Sequence, residues 1–322
     1  MRMKRILIAA LVLSSLAFFV SCQKSGVYMP KNKISKVWYE AEHLFVNLFD
    51  STEYRSSTAK YQREGWTWNG KFLGERTLFR ANGDIRMNYV YEYNKKNKVI
   101  GITSNLPSEK KTRIRFVYDD DTKLLKEIRY FTEAFPENDS PYKKLEFTYD
   151  GKVLASVKET IKGISPKSCS EDDGSLLSLL VSEEMAESIV ANEIRSKAAG
   201  DQINEYVFEW SKDNISTVKI TTTIGNISSE KKISYTYDNK KNPQIGRVMG
   251  YVEDGGIDYV ICSKNNPVTC KYEGADGNEI YSEEIQYTYD GKVPTEKIVK
   301  RTEKTASSMS VTEEKITYEY ED

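Results

Sequence analysis

One histidine stands in 322 residues, beside 4 cysteines and 8 prolines, and neither sign of charge dominates, with 47 Lys and Arg against 48 Asp and Glu. Each scarcity excludes a class. A single imidazole, His43, leaves a His-based triad or a His-rich zinc site without a second member of its kind. It reads better as a surface or packing residue. Balanced charge gives no general pull on nucleic acid. No Gly-x-Ser-x-Gly, P-loop or dinucleotide fingerprint occurs. Long apolar runs are also missing, apart from Ile6 to Val20.

That run follows the basic stretch Met1 to Arg5 and ends at Ser21-Cys22. It is short for a membrane span and fits the apolar core of a secretory signal. Residues 1–21 are expected to be a signal peptide. Residues 22–33 lack periodicity, contain Gly26 and Pro30, and are expected to form a tether.

What the chain has in quantity is aromatic residues in one recurring phrase: aromatic, any residue, aromatic, then a polar turn residue. It starts at Trp66, Tyr91, Phe116, Phe147, Phe208, Tyr235, Tyr287 and Tyr318. An apolar residue two places upstream extends most copies, as in Ile114/Phe116/Tyr118 and Ile285/Tyr287/Tyr289. Period-two alternation of this kind marks a strand with one dry face. Asn69-Gly70, Asp150-Gly151 and Asp290-Gly291 follow, the chemistry of a two-residue type I′ hairpin turn. Most copies lie 25–31 residues apart; two gaps of 61 and 52 residues hold an insertion or a degenerate copy.

The sequence therefore predicts an all-β fold over 34–322: a long antiparallel meander of repeated hairpins forming a curled or twisted sheet. A strand is expected over 34–41, with 42–62 unassigned. One amphipathic helix is expected at about 175–199, from Leu176, Leu177, Leu180, Val181, Met185 and Ile189 at near-helical spacing. A recurring inward aromatic is most simply core. Trp66, Trp68 and Trp210 belong to the phrase; Trp38 lies outside it and is the candidate aromatic ligand contact. No metal site is expected: Asp119-Asp120-Asp121 and Glu171-Asp172-Asp173 lack EF-hand spacing and read as solvated turns. No cofactor is expected either.

Two resemblances add to this. Phe-Thr-Tyr-Asp-Gly-Lys at 147–152 and Tyr-Thr-Tyr-Asp-Gly-Lys at 287–292 resemble the YD units of RHS-type repeat proteins. The whole layout resembles a family of lipoproteins of unknown function common in Bacteroidota. It shares a Lys-Asn-Pro element at 241–243 and a Ser-Lys-Asn-Asn element at 263–266. Ser21-Cys22 resembles a lipobox, although Phe19 departs from the commoner Leu; the resemblance implies lipidation at Cys22. It also implies an outer-membrane lipoprotein, and the absence of an acidic cluster after Cys22 points to the periplasmic side. Asp50-Ser51-Thr52 resembles an O-glycosylation acceptor of that phylum.

Export permits a disulfide between Cys262 and Cys270, which flank the turn signal Asn265-Asn266-Pro267. The alternative is two half-buried thiols that never pair. The function expected is that of a non-enzymatic, envelope-anchored binding or scaffold lipoprotein, with a glycan or an envelope protein as ligand and no nucleic acid. A lipid-carrying curled sheet is the alternative, and a carboxylate-dependent hydrolase the third reading.

Overall fold

A computed structural model describes residues 27–105, 111–132, 135–137, 140–164, 200–243 and 263–321. Sixteen strands account for nearly all of them: β1 (Ile34–Asn47), β2 (Glu53–Asn69), β3 (Phe72–Phe79), β4 (Ile85–Tyr93), β5 (Val99–Asn105), β6 (Lys111–Tyr118), β7 (Leu125–Phe131), β8 (Lys143–Asp150), β9 (Val153–Ile164), β10 (Gly200–Ser211), β11 (Asn214–Ile224), β12 (Ile227–Lys241), β13 (Asn265–Glu273), β14 (Glu279–Asp290), β15 (Val293–Lys304) and β16 (Ser308–Tyr320). Every strand pairs antiparallel with its neighbours in sequence, as a meander requires.

The expected open, curled sheet is corrected on one point that changes the molecule. β1 also pairs with β16, from Ile34↔Tyr320 to Asn47↔Ser308, and the sheet closes into a barrel. Closure removes the two bare edges that a sheet of this length would otherwise present. The helix expected at 175–199 lies outside the described residues, among which there is no helix. Among the described residues each of the two long gaps in the repeat holds one unit, and the extra length falls in the connections β9–β10 and β12–β13.

The phrase aromatics point inward, as alternation demands. Trp66, Phe116, Phe147, Phe208, Tyr235 and Tyr318 are buried, while Tyr91 and Tyr287 pack against the same core half-buried. One register higher, Tyr89, Tyr206, Ile114, Leu145 and Ile233 are at most 1 % exposed. A round barrel of this strand number encloses an aqueous channel. Water does not reach these rings, so the interior at this level is a packed core.

The turns depart from expectation in detail. Asn69, Asp150 and Asp290 remain the last strand residues, paired with Phe72, Val153 and Val293. The glycine takes the first loop position with positive φ (57° at Gly70, 60° at Gly151, 58° at Gly291), and the lysine after it does not. That is the type II′ pattern. Lys212 and Asp213 carry the type I′ pattern, with φ of 51° and 66°.

The strands are unequal. β3 to β8 run seven to nine residues, whereas β1, β2, β9 to β12 and β14 to β16 run eleven to seventeen. At roughly 3.3 Å per residue, one wall rises about 15 Å above the other. It rises at the end opposite the phrase-bearing turns. The start of β1 and the end of β16 lie at the phrase end.

Candidate functional site

The phrase end is built by a repeated device. On each even-numbered strand the second aromatic faces a bulge on the next strand, where two residues of one strand oppose one of the other. The register shifts fall at Thr67/Trp68, Glu92/Tyr93, Val117/Tyr118, Thr148/Tyr149, Glu209/Trp210, Thr236/Tyr237 and Thr288/Tyr289, and at Ile34/Lys36 opposite β16. A bulge disrupts the ladder and leaves a carbonyl to be satisfied. The aromatic of the following even strand supplies the donor. Trp68 Nε1 donates to Ile34 O (2.7 Å), Tyr93 Oη to Leu73 O (2.8 Å), Tyr118 Oη to Val99 O (2.7 Å) and Tyr149 Oη to Leu125 O (2.9 Å). Trp210 Nε1 donates to Leu154 O (2.7 Å), Tyr237 Oη to Ile215 O (2.6 Å) and Tyr320 Oη to Pro294 O (2.6 Å). These bonds form a belt around the barrel. Burial raises the hydroxyls of Tyr93, Tyr118 and Tyr320 above the ordinary phenol range.

The belt departs from its rule once. Tyr289 donates to Asp238 Oδ2 (2.5 Å) and accepts from Asn266 Nδ2 (2.9 Å). Here the Lys-Asn-Pro and Ser-Lys-Asn-Asn elements meet. Asn242 Nδ2 donates to Ser263 O, Ser263 Oγ accepts from Ile215 N, and Lys264 Nζ pairs with Asp213 at 2.9 Å. Asn265 N donates to Asn214 Oδ1, and Asn214 Nδ2 to Asn265 Oδ1. The network clamps the two ends of the β12–β13 connection to the β10–β11 turn.

Inside the barrel, charges follow the apolar rows. Glu64 on β2 takes two bonds from Arg76 on β3, at 2.9 and 2.8 Å, and one from Trp66 Nε1 at 2.6 Å. Burial alone would raise this carboxyl; the Arg76 guanidinium outweighs it and holds Glu64 down to about 2. On β14 to β16, Arg301 bridges Glu283 (2.8 Å) and Glu314, and Glu314 also accepts from Tyr39 Oη at 3.0 Å. Burial would raise Glu314 as well, and Arg301 and Arg63 keep it below its ordinary range. Lys297 is driven down to about 8 by burial, against the opposing pull of Glu283. On another wall Asn204 Nδ2 donates to Glu159 Oε2 at 2.7 Å, and Tyr206 Oη to the same oxygen at 3.1 Å. Glu64 and Glu314 are thus carboxylates held ionised in a packed interior. A general acid needs the opposite shift. Among the described residues, no three His, Cys, Asp or Glu side chains converge as a metal would require.

The outer wall carries many charges. It is laced with cross-strand ion pairs: Arg115–Glu92 (2.7 Å), Lys219–Glu209 (2.7 Å), Lys232–Glu273 (3.0 Å) and Lys315–Glu296 (3.2 Å). A membrane-spanning barrel places an apolar band on this face. Trp38, the expected ligand contact, lies here half-buried, its indole donating to Glu319 Oε1 at 2.7 Å with Lys36 and Lys60 over its ring.

The exposed aromatics are elsewhere, on the tall wall. The β1–β2 hairpin carries Phe45 (42 % exposed), Tyr54 (63 %), Leu48 (49 %) and Phe49 (82 %). Phe45 and Tyr54 are register partners with ring centroids 6.2 Å apart, on the same side of the sheet as Tyr39 and Ala41. His43 sits between, its Nδ1 3.1 Å from Thr312 Oγ1. This hairpin falls in the region left unassigned from sequence; alternation of Phe45, His43 and Ala41 was the available signal, and helical spacing obscured it. Asp50-Ser51-Thr52 forms its turn, with Ser51 at φ 58° and Asp50 Oδ1 accepting from Thr52 N.

The remaining expected positions divide. Cys22, Cys262 and Glu171 to Asp173 lie outside the described residues. Cys270 points inward on β13 as a fully buried thiol, raised by that burial. Asp119 is a turn residue, its Oδ1 accepting from Thr122 N at 2.7 Å and Asp121 N at 3.1 Å. Tyr28, within the stretch expected as tether, is buried against Trp68.

No family model matches the chain, and no curated protein matches it. Among solved structures it is similar to a porin-like protein from Bacteroides uniformis ATCC 8492, at 10% identity over 92% of this chain and 100% of that one, with a TM-score of 0.46. It is also similar to a porin-like protein from Bacteroides vulgatus ATCC 8482, at 12% identity over 90% of this chain and 99% of the other, with a TM-score of 0.33. A LolA superfamily protein from Nitrosomonas europaea matches at 6% identity over 92% and 91%, with a TM-score of 0.22.

Proposed function

We propose that this chain is a non-enzymatic binding or scaffold lipoprotein of the bacterial envelope, held to a membrane through Cys22 and engaging a glycan or an envelope protein. One observation carries the reading: a packed core inside an outer wall laced with ion pairs, with the exposed aromatic rings of the described residues, Phe45, Phe49 and Tyr54, gathered on the raised hairpin. That distribution argues against a transmembrane pore, which needs apolar residues outside. It argues equally against the lipid-carrying alternative, which needs a cavity where the rings of Tyr89, Tyr206 and Tyr272 are packed. The hydrolase reading loses support because Glu64 and Glu314 are buried, paired and held ionised.

Anchoring and binding then occupy opposite ends. Tyr28 is fixed at the phrase end, so a lipid on Cys22 holds that end toward the membrane and turns Phe45, Phe49 and Tyr54 away from it. Fractionation of cells producing wild type and Cys22→Ala tests the anchor: the variant is expected in the soluble fraction, and unchanged retention in membranes refutes it. Purified protein added to planar bilayers is expected to give no conductance steps; discrete steps sink the reading as a whole.

A further inference from the structure

β2 is paired on both sides only over part of its length. β3 covers it from Glu64↔Leu78 to Asn69↔Phe72 and then turns away at Arg80. β1 stays with it to Val46↔Glu53. From Glu53 to Gln62 no strand of the described residues lies on the β3 side. The stretch from Glu53 to Thr58 is in unbroken register with β1, and Glu53 to Ser57 are exposed. Its support is rigid. β1 is paired to β16 as far as Asn47↔Ser308, β16 to β15 as far as Met309↔Lys304, and Leu48 N donates to Ser307 O at 2.9 Å. An edge this regular offers alternate N–H and C=O groups to another strand, and proteins usually blunt it with proline or a bulge. Neither falls between Glu53 and Thr58.

We infer that this edge receives an extended acidic segment of a partner protein as an added strand. The inference rests on the binding reading above, though not on the lipid anchor. Two observations choose the occupant. Arg55, paired with Glu53 at 3.3 Å, and Lys60 on the edge, with Arg80 and Arg86 at the neighbouring turn, outnumber Asp50, Glu53 and Asp84, in a chain whose net charge is −1. On the barrel side, Tyr54 and its partner Phe45 present open ring surface to alternate side chains of an added strand. Strand addition takes affinity from the main chain and selectivity from such alternate contacts, and a preformed edge lowers the ordering cost.

The probe is a fluorescein-labelled decapeptide of alternating valine and glutamate, titrated against the full chain by anisotropy. Saturable binding is expected. N-methylation of alternate probe residues, which removes main-chain donors and keeps the side chains, is expected to weaken it by at least about tenfold. Lysine in place of glutamate, or the double variant Arg55→Glu/Lys60→Glu with an unchanged melting temperature, is expected to do the same. Hydrogen exchange with the probe bound is expected to slow within residues 53–62. Binding indifferent to N-methylation, protection located elsewhere, or no binding at millimolar probe overturns the inference. So does protection of 53–62 that rises with protein concentration in the absence of probe, which assigns the edge to a second copy of this chain. Membrane retention of Cys22→Ala is read separately, so loss of the anchor and loss of the edge site are distinguishable.

Discussion

Arg76 and Glu64 meet twice in a region closed to water, with side chains 3% and 2% exposed. Removing one partner from such a pair leaves an uncompensated buried charge and costs about 3–5 kcal/mol. Arg76→Met is therefore expected to be severely destabilised in urea titration, and Glu64→Gln/Arg76→Met to recover much of the loss. The same pair sets an acid limit. The Glu64 carboxyl falls from its ordinary 4.5 to about 2 in the folded chain, so its contribution is complete above pH 4.5 and is lost as pH drops toward 2. The melting temperature of wild type is expected to fall across that window, and that of Glu64→Gln/Arg76→Met to fall less. At the belt, Tyr118→Phe leaves the Val99 carbonyl without its donor, and a loss of about 1–2 kcal/mol is expected in the same titration. These roles were hard to read from sequence. Glu64, Glu159, Glu283 and Arg301 stand two places from Trp66, Val157, Ile285 and Val299 on the dry-face rows, but only the register between strands shows which charges meet there. The second aromatic of each phrase read as core; that it also closes a bulge needs the neighbouring strand.

At the level of strands and turns, more was legible. The phrase Phe147-Thr148-Tyr149-Asp150-Gly151-Lys152 gave a strand end and a two-residue turn, and β8 and β9 meet there. The turn type was mistaken because Asn-Gly and Asp-Gly favour positive φ at both residues, whereas the bulge draws Asp150 back into the ladder opposite Val153. Gly151 has φ 60° with open space around its Cβ position, so Gly151→Ala is penalised by backbone conformation alone. The expected cost is about 1–2 kcal/mol by thermal unfolding. Asp150→Ala, whose backbone is ordinary strand, is expected to cost less. Strands β1 and β2 were half-legible: Val37 and Ala41 fit a helical spacing as well as alternation, and only the pairing with β16 decides between them.

For the whole molecule, sequence pattern could not announce closure. The meander is a chain of local pairings, but the seam joins residues such as Tyr39 and Glu314, 275 positions apart. Nothing in either strand's alternation marks it as the other's partner. A chain cut before Ser308 keeps fifteen strands and loses the seam, baring Val37 and Val299. It is expected to show no cooperative melting transition and to elute as aggregate on gel filtration. The seam also has a consequence in time. Closing so long a loop carries an entropic cost that no earlier hairpin offsets, and folds dominated by distant contacts form slowly. Synthesis delivers β1 first and β16 last. Until that final ribbon arrives, the nascent polypeptide is a sheet with two sticky margins, and its passage to the native state belongs to the period after β16 has been made. Pulse-labelling during refolding should find β1 amides acquiring protection in the latest phase, together with those of β16 and behind those of β10 and β11.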